Sequence, residues 1–212
     1  MIPQEAALRR PKKSTFPSDK CNQDAPLDSQ SNEVHTGCSH DHSSERRIFE
    51  KSTEDKFKAI RLFRGEGNDH FKSKSYHEAL ICYKRALLYL DYSIGNNDAE
   101  EDAFQTERLK CHLNLAAVYL ERKMYDETIN QCRLALQIEP SCVKALFRRG
   151  VAHLGKDSLQ EAQVDLYAAL KRGSADGRDT VNAIESAIRD LNVKWREYRR
   201  RSRAVAQSVF RS

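Results

Sequence analysis

The chain has 212 residues, 32% of them charged and 39% hydrophobic, and a formal net charge of +5. That length suits one core-bearing domain with tails, or two very small domains, and so mild a positive balance does not by itself argue for nucleic acid. No apolar run approaches the roughly 18–20 residues that cross a bilayer, and the first twenty residues hold no apolar segment of signal-peptide type, so a soluble, intracellular protein is expected.

Eight Gly and five Pro are few for this length, and the abundance of Ala, Leu, Glu, Lys and Arg favours an all-α fold. The cysteines, Cys21, Cys38, Cys82, Cys111, Cys132 and Cys142, form no Cys-x-x-Cys pair. They read as small core fillers and free thiols.

Residues 1–54 are rich in Ser, Pro, Asn, Asp, His and Lys and lack hydrophobic periodicity. Such a segment cannot bury enough apolar surface to offset its ordering entropy, which predicts a disordered tail. Within it His35, Cys38, His40 and His42 gather plausible metal ligands. Their spacing fits no closed zinc module and no second ligand pair follows, so neither an ordered metal nor a cofactor is expected.

From Lys56 the pattern changes. "FKAIRLFRGEGNDHF" and "YHEALICYKRALLYL" carry apolar residues at helical spacing around a "KSKS" turn, which predicts a helical hairpin. The unit recurs. With Gly67 as origin, Ala79, Tyr83 and Ala86 follow at fixed offsets; Thr128, Cys132 and Ala135 stand at the same offsets from Ala116, and Ala162, Leu166 and Ala169 from Gly150. The second and third origins are 34 residues apart and the first and second are 49 apart, a surplus of 15 centred on "DYSIGNNDAEEDAFQTE". The repeats are placed at about 60–93, 109–142 and 143–176, the repeat region is assigned to 55–172, and the insertion falls at 94–108. The surplus is expected to lengthen the second and third helices around a loop at Gly95–Asp98.

After "GSADG" the chain reads as one long helix, 178–208. Val181, Ile184, Ile188, Leu191 and Trp195 form its apolar stripe. A stacked array needs a cap at its open end, and this helix would supply one.

A 34-residue helical hairpin with small residues at these offsets resembles the tetratricopeptide repeat (TPR). The resemblance implies a right-handed solenoid of three repeats plus the capping helix. Thr128, Cys132 and Leu166 depart from its usual pattern, and looser packing is expected there. The insertion, the wording of "CHLNLAAVYL" and "KALFRRGVAHL", and the basic end of the last helix are similar to the large immunophilins, prolyl isomerases of the FK506-binding class that carry such a domain. That resemblance covers about residues 56–210 and no isomerase domain.

In stacked units the first helices line the concave face. Those helices offer Arg64 and Asn68, then Asn114, then Lys144 and Arg148. This set resembles the two-carboxylate clamp of chaperone-binding repeat domains, with Arg64 where that family usually has Lys. The resemblance implies a non-catalytic adaptor that holds the Glu-Glu-Val-Asp end of cytosolic heat-shock chaperones of the 90 or 70 class. Lys144 and Arg148, like charges one turn apart, would then be reconciled by an anion between them.

No Gly-rich phosphate loop, Gly-x-Ser-x-Gly turn or helical metal-ligand pair supports catalysis. A prolyl isomerase by relationship is the rival reading, and a tail of ~54 residues without apolar strands does not build such a domain. His70 and His153 each follow a repeat origin by three, where a packing role is expected. The run "KWREYRRRSR", residues 194–203, could serve as a nuclear signal, a calmodulin target or a polyanion patch. A solvated helix end complementing the dipole is favoured, so no nucleic acid or membrane partner is expected and the location is cytoplasmic, with the nucleus left open.

Overall fold

A computed structural model describes residues 48, 50–173 and 177–209. All of them belong to one unit, 41–212. Most of the tail, including His35, Cys38, His40 and His42, lies outside the described residues. Among these there are seven helices and no strand: α1 Thr53–Lys72, α2 Tyr76–Asp91, α3 Asp98–Glu121, α4 Tyr125–Ile138, α5 Val143–Gly155, α6 Leu159–Gly173 and α7 Arg178–Val209. None is long and apolar enough to cross a membrane.

Helices α1 and α2, α3 and α4, and α5 and α6 pair as hairpins. The first helices also touch in sequence, α1 with α3 and α3 with α5, so they form an inner layer. The repeat origins explain the close pairing. A Cβ on Gly67 would stand 2.6 Å from the Tyr83 ring, and one on Gly150 would stand 2.8 Å from Leu166 Cγ. In both hairpins the origin meets the residue sixteen positions on. Ala116 and Cys132, the matching pair of the middle hairpin, are fully buried. Thr128, Cys132 and Leu166 are all at 0% exposure, and the Thr128 hydroxyl donates to the Met124 carbonyl. Packing at these positions is therefore closed, not loose, because the hydroxyl has a local acceptor and the shorter side chains are fully enclosed.

The hairpin turns repeat as well. Lys74, Lys123 and Asp157 have φ of 62, 58 and 59°, the left-handed region that reverses the chain. Each stands seven residues after its repeat origin.

Two boundaries differ from expectation. The chain joins the fold before residue 54: Ile48 is buried, Lys51 donates to the Tyr89 hydroxyl, and Ser52 caps α1 by accepting from Asp55 N–H at 3.1 Å. The insertion lengthens α3, at 24 residues, but hardly α2, at 16. Asn97 caps α3 through Glu100 N–H, and its added turns place Phe104 against Phe57, Ile60 and Leu90.

The apolar stripe of α7 covers the open end of the third hairpin. Ile184, Ala187, Ile188 and Leu191 are buried against Leu146, Leu154, Leu166 and Ala169, with Trp195 packed at the edge. Each fully buried Ile or Leu here contributes about 1.5–3 kcal/mol. Lys194 donates to the Leu154 carbonyl, tying α7 to the end of α5.

Candidate functional site: a cationic groove on the inner helices

The repeat register brings Asn68 of α1, Asn114 of α3 and Arg148 of α5 to one hollow of about 230 Å³, which Phe71, Lys72, Tyr83 and Ala117 also line. Asn114 Nδ2 donates to Asn68 Oδ1 at 2.9 Å, and the Tyr83 hydroxyl donates to the same oxygen at 2.8 Å. Two donors converging on Oδ1 fix the Asn68 amide and turn its Nδ2 hydrogens toward other acceptors. Burial pushes the Tyr83 hydroxyl up to about 12, so it stays a donor across the physiological range.

Arg148 is partly buried and donates from Nη1 to the Leu113 carbonyl at 2.8 Å, which spans from α5 to α3 and holds the guanidinium in place. Burial lowers its pKa from the ordinary value, but a guanidinium remains a cation at neutral pH. The neighbouring Arg149 points the other way, making a two-bond pair with the buried Asp165 of α6 at 2.7 Å each. In "KALFRRG", then, one arginine serves the groove and the next serves the fold. His153 packs beside the same carboxylate, 4.0 Å from Asp165 Oδ2, and burial lowers its pKa.

The other two residues expected at the site stand apart from the hollow. Lys144 is exposed, one turn before Arg148. Arg64, one turn before Asn68, donates from Nε to Glu107 Oε2 at 2.7 Å. Glu107 has only 2% of its side chain exposed. Burial works against ionising its carboxyl, but the hydrogen bonds and charges of Lys110 and Arg64 outweigh that and hold it below the usual carboxylate range. Arg64 thus comes with its own counter-ion. Sequence reasoning missed this residue, and also Lys72 and Tyr83. Lys72 follows Asn68 by four, so the stripe that links Arg64 to Asn68 reaches it too; Glu107 shows no comparable signal, because its role depends on how α3 rotates against α1.

Taken together, the hollow offers a fixed cation, two oriented amides and a lysine at the rim. That combination receives a small anion, with a carboxylate matching it in size and in hydrogen-bond demand. Among the described residues no group of three or more His, Cys, Asp or Glu side chains is placed to hold a metal. The thiols of Cys111 and Cys132 are pushed up to about 12 by burial, which leaves them unreactive.

Comparison with known structures identifies the fold. The C-terminal TPR-containing domain of the Plasmodium falciparum FK506-binding protein PFL2275c matches 70% of this chain and 99% of its own length, with a TM-score of 0.60 and 29% identity. The fold is a tetratricopeptide-repeat solenoid. A multi-domain immunophilin from Arabidopsis thaliana aligns over 56% of this chain and 47% of that one, at 31% identity and a TM-score of 0.53. In sequence, the peptidyl-prolyl cis-trans isomerase FKBP4 of Bos taurus is 32% identical over 126 residues, covering 59% of this chain. The TPR chain spans 28% of the length of that relative. No family model matches it. The chain is homologous to these immunophilins over their non-isomerase region.

Proposed function

We propose that the groove binds the free carboxyl end of a partner protein, and that the TPR domain works as a non-catalytic adaptor of the co-chaperone kind. The observation that carries this reading is the convergence of Asn68, Asn114 and Arg148 from three separate repeats on one hollow. A chain end finishing in Asp brings two carboxylates. Arg148 and the two amides take one of them, while Lys144, exposed one turn before Arg148 on α5, attracts the other. Charge-assisted hydrogen bonds at a partly desolvated site contribute about 1.5–3 kcal/mol each, and several of them together offset part of the cost of immobilising a short extended peptide.

The Glu-Glu-Val-Asp end of heat-shock chaperones of the 90 or 70 class has this chemistry, and the resemblance of the five residues to a carboxylate clamp supports it as the ligand. Arg64 contributes less than the resemblance implies, because Glu107 already shares its charge. The rival reading, a prolyl isomerase by relationship, rests on kinship alone, since the matched region of those relatives excludes the isomerase domain.

Titrating isotope-labelled protein with acetyl-Glu-Glu-Val-Asp while following the Asn side-chain amides by NMR tests the proposal. The Asn68 and Asn114 signals are expected to shift and saturate together. Perturbations confined to the outer helices α2, α4 and α6 would refute it.

A further inference from the structure

The side of α3 that faces away from the groove carries a second hollow, of about 680 Å³. His112 precedes Asn114 by two residues, about 200° around the helix, so the two stand on opposite sides of α3. Asp102, Gln105 and Arg108 line the hollow with His112, and all three come from the insertion at 94–108, which thus supplies most of a polar wall. Leu134, Gln137 and Ile138 of α4 form the facing wall, and Asp91, the last residue of α2, closes one end.

Two helices end at this hollow, α2 at Asp91 and α4 at Ile138, and neither has a basic residue in its last turn. A helix C-terminus carries partial negative charge and unpaired carbonyls, and both favour a cation. At α2 the chain supplies one: Arg108 donates from Nη2 to the Leu90 carbonyl at 2.8 Å and from Nη1 to Asp91 Oδ1. At α4 no side-chain cation does the same among the described residues, and Pro140 has no N–H to give the Leu136 carbonyl. Asp91 offsets Arg108, so the exposed Asp102 leaves the lining at a charge of −1.

His112 is 7% exposed, and its Nδ1 meets Gln131 Oε1 at 2.8 Å. An amide oxygen there places the ring proton on Nδ1 and leaves Nε2 as an acceptor, for which the described residues supply no donor. Burial lowers the His112 pKa, which keeps the ring neutral and Nε2 available. A buried ring nitrogen, an exposed carboxylate and an uncomplemented helix end are all acceptors, and Leu134 and Ile138 beside them offer apolar surface to an aliphatic stem. We propose that this outer hollow receives an arginine side chain of a partner protein, its guanidinium donating to His112 Nε2, to Asp102 and to the end of α4 while its stem lies on Leu134 and Ile138. Arg is favoured over Lys because its planar fork of N–H donors reaches several acceptors at once, whereas an ammonium is compact and strongly hydrated. The hollow lies across α3 from the cationic groove, so one domain holds two partners of opposite charge, and this site does not depend on what the groove binds.

The test is a titration of the isotope-labelled full chain with acetyl-Ala-Leu-Arg-Leu-Ala-amide, following the His112 ring nitrogens by NMR. The amide end leaves this peptide without a carboxylate for the groove. His112 Nε2 is expected to shift and saturate. The same peptide with citrulline in place of Arg keeps the shape without the charge, and should bind at least about threefold more weakly. Asp102→Lys and Gln137→Lys, both at exposed positions that the fold leaves free to vary, each put a cation of the chain's own into the hollow and should weaken the Arg peptide at least about threefold. An unmoved His112 signal, equal affinity for the Arg and citrulline peptides, or full affinity in either variant would overturn the proposal.

Discussion

Replacing Arg148 with Ala separates the groove's partly buried cation from its exposed neighbour, Lys144. Arg148 is held at the base of the hollow by its bond to the Leu113 carbonyl, beside Asn68 and Asn114. Its charge is partly shielded from water, so a ligand carboxylate there gains about 1.5–3 kcal/mol. Arg148→Ala should then weaken acetyl-Glu-Glu-Val-Asp about ten- to 150-fold. Lys144 is exposed, and an exposed pair gives about 0.2–1 kcal/mol, so Lys144→Ala should cost about 1.5- to fivefold. Calorimetry at low salt and at 0.5 M salt reads both effects. The Lys144 term should fade at high salt, and most of the Arg148 term should persist. Arg148→Ala also removes a tie between α3 and α5, so circular dichroism must first show that the variant is folded. Comparable losses for the two variants, or full affinity in a folded Arg148→Ala protein, would refute the reasoning.

Other consequences concern the scaffold. Gly67→Ala and Gly150→Ala should each destabilise the fold by about 1–3 kcal/mol in urea unfolding, because the new methyl group meets the Tyr83 ring or Leu166 well inside contact distance. Glu107→Gln should lower stability at neutral pH by about 1–3 kcal/mol. The Glu107 carboxyl is held below its usual range in the fold, so its contribution is present above the unfolded value, near 4.5, and lost as pH falls through the folded value. Melting curves of wild type and Glu107→Gln should therefore converge as pH falls through the folded value, which lies below 4.5. The Trp195 indole N–H is buried without a hydrogen-bond partner. Trp195→Phe should accordingly change stability by less than about 1 kcal/mol, whereas Trp195→Ala, which strips the edge of the cap, should cost about 2–3 kcal/mol in the same assay.

The fold was legible because the repeat leaves a record in residue size. Gly67, Ala116 and Gly150 are small where a neighbouring helix presses in, and the spacing between them reports the hairpin period without knowledge of any contact. The stripe from Ile184 to Trp195 likewise announced a helix that must cover an open end. Hairpin register also carried part of the site, since Asn114 and Arg148 stand at the same offset, two before their repeat origins, and stacking must bring them together. What stayed hidden depends on rotation and on cross-helix reach. Glu107 is a charged residue in a helix rich in charge, and only the packing of α3 on α1 shows that it is buried and neutralises Arg64. Lys144 shares a helical face with Arg148, yet the two differ in depth, which spacing alone does not encode. The insertion was readable as a surplus of residues but not as an extension of α3 over α2, because Asn97 as a cap and Phe104 as a core residue act only once the helix has chosen its start.

The most direct measurement is a calorimetric titration of the full chain with acetyl-Glu-Glu-Val-Asp as the free acid and as the carboxyl-terminal amide. A groove that grips a chain end predicts at least about tenfold weaker binding of the amide, the loss of one charge-assisted carboxylate contact. Equal affinity for the two peptides would contradict the account.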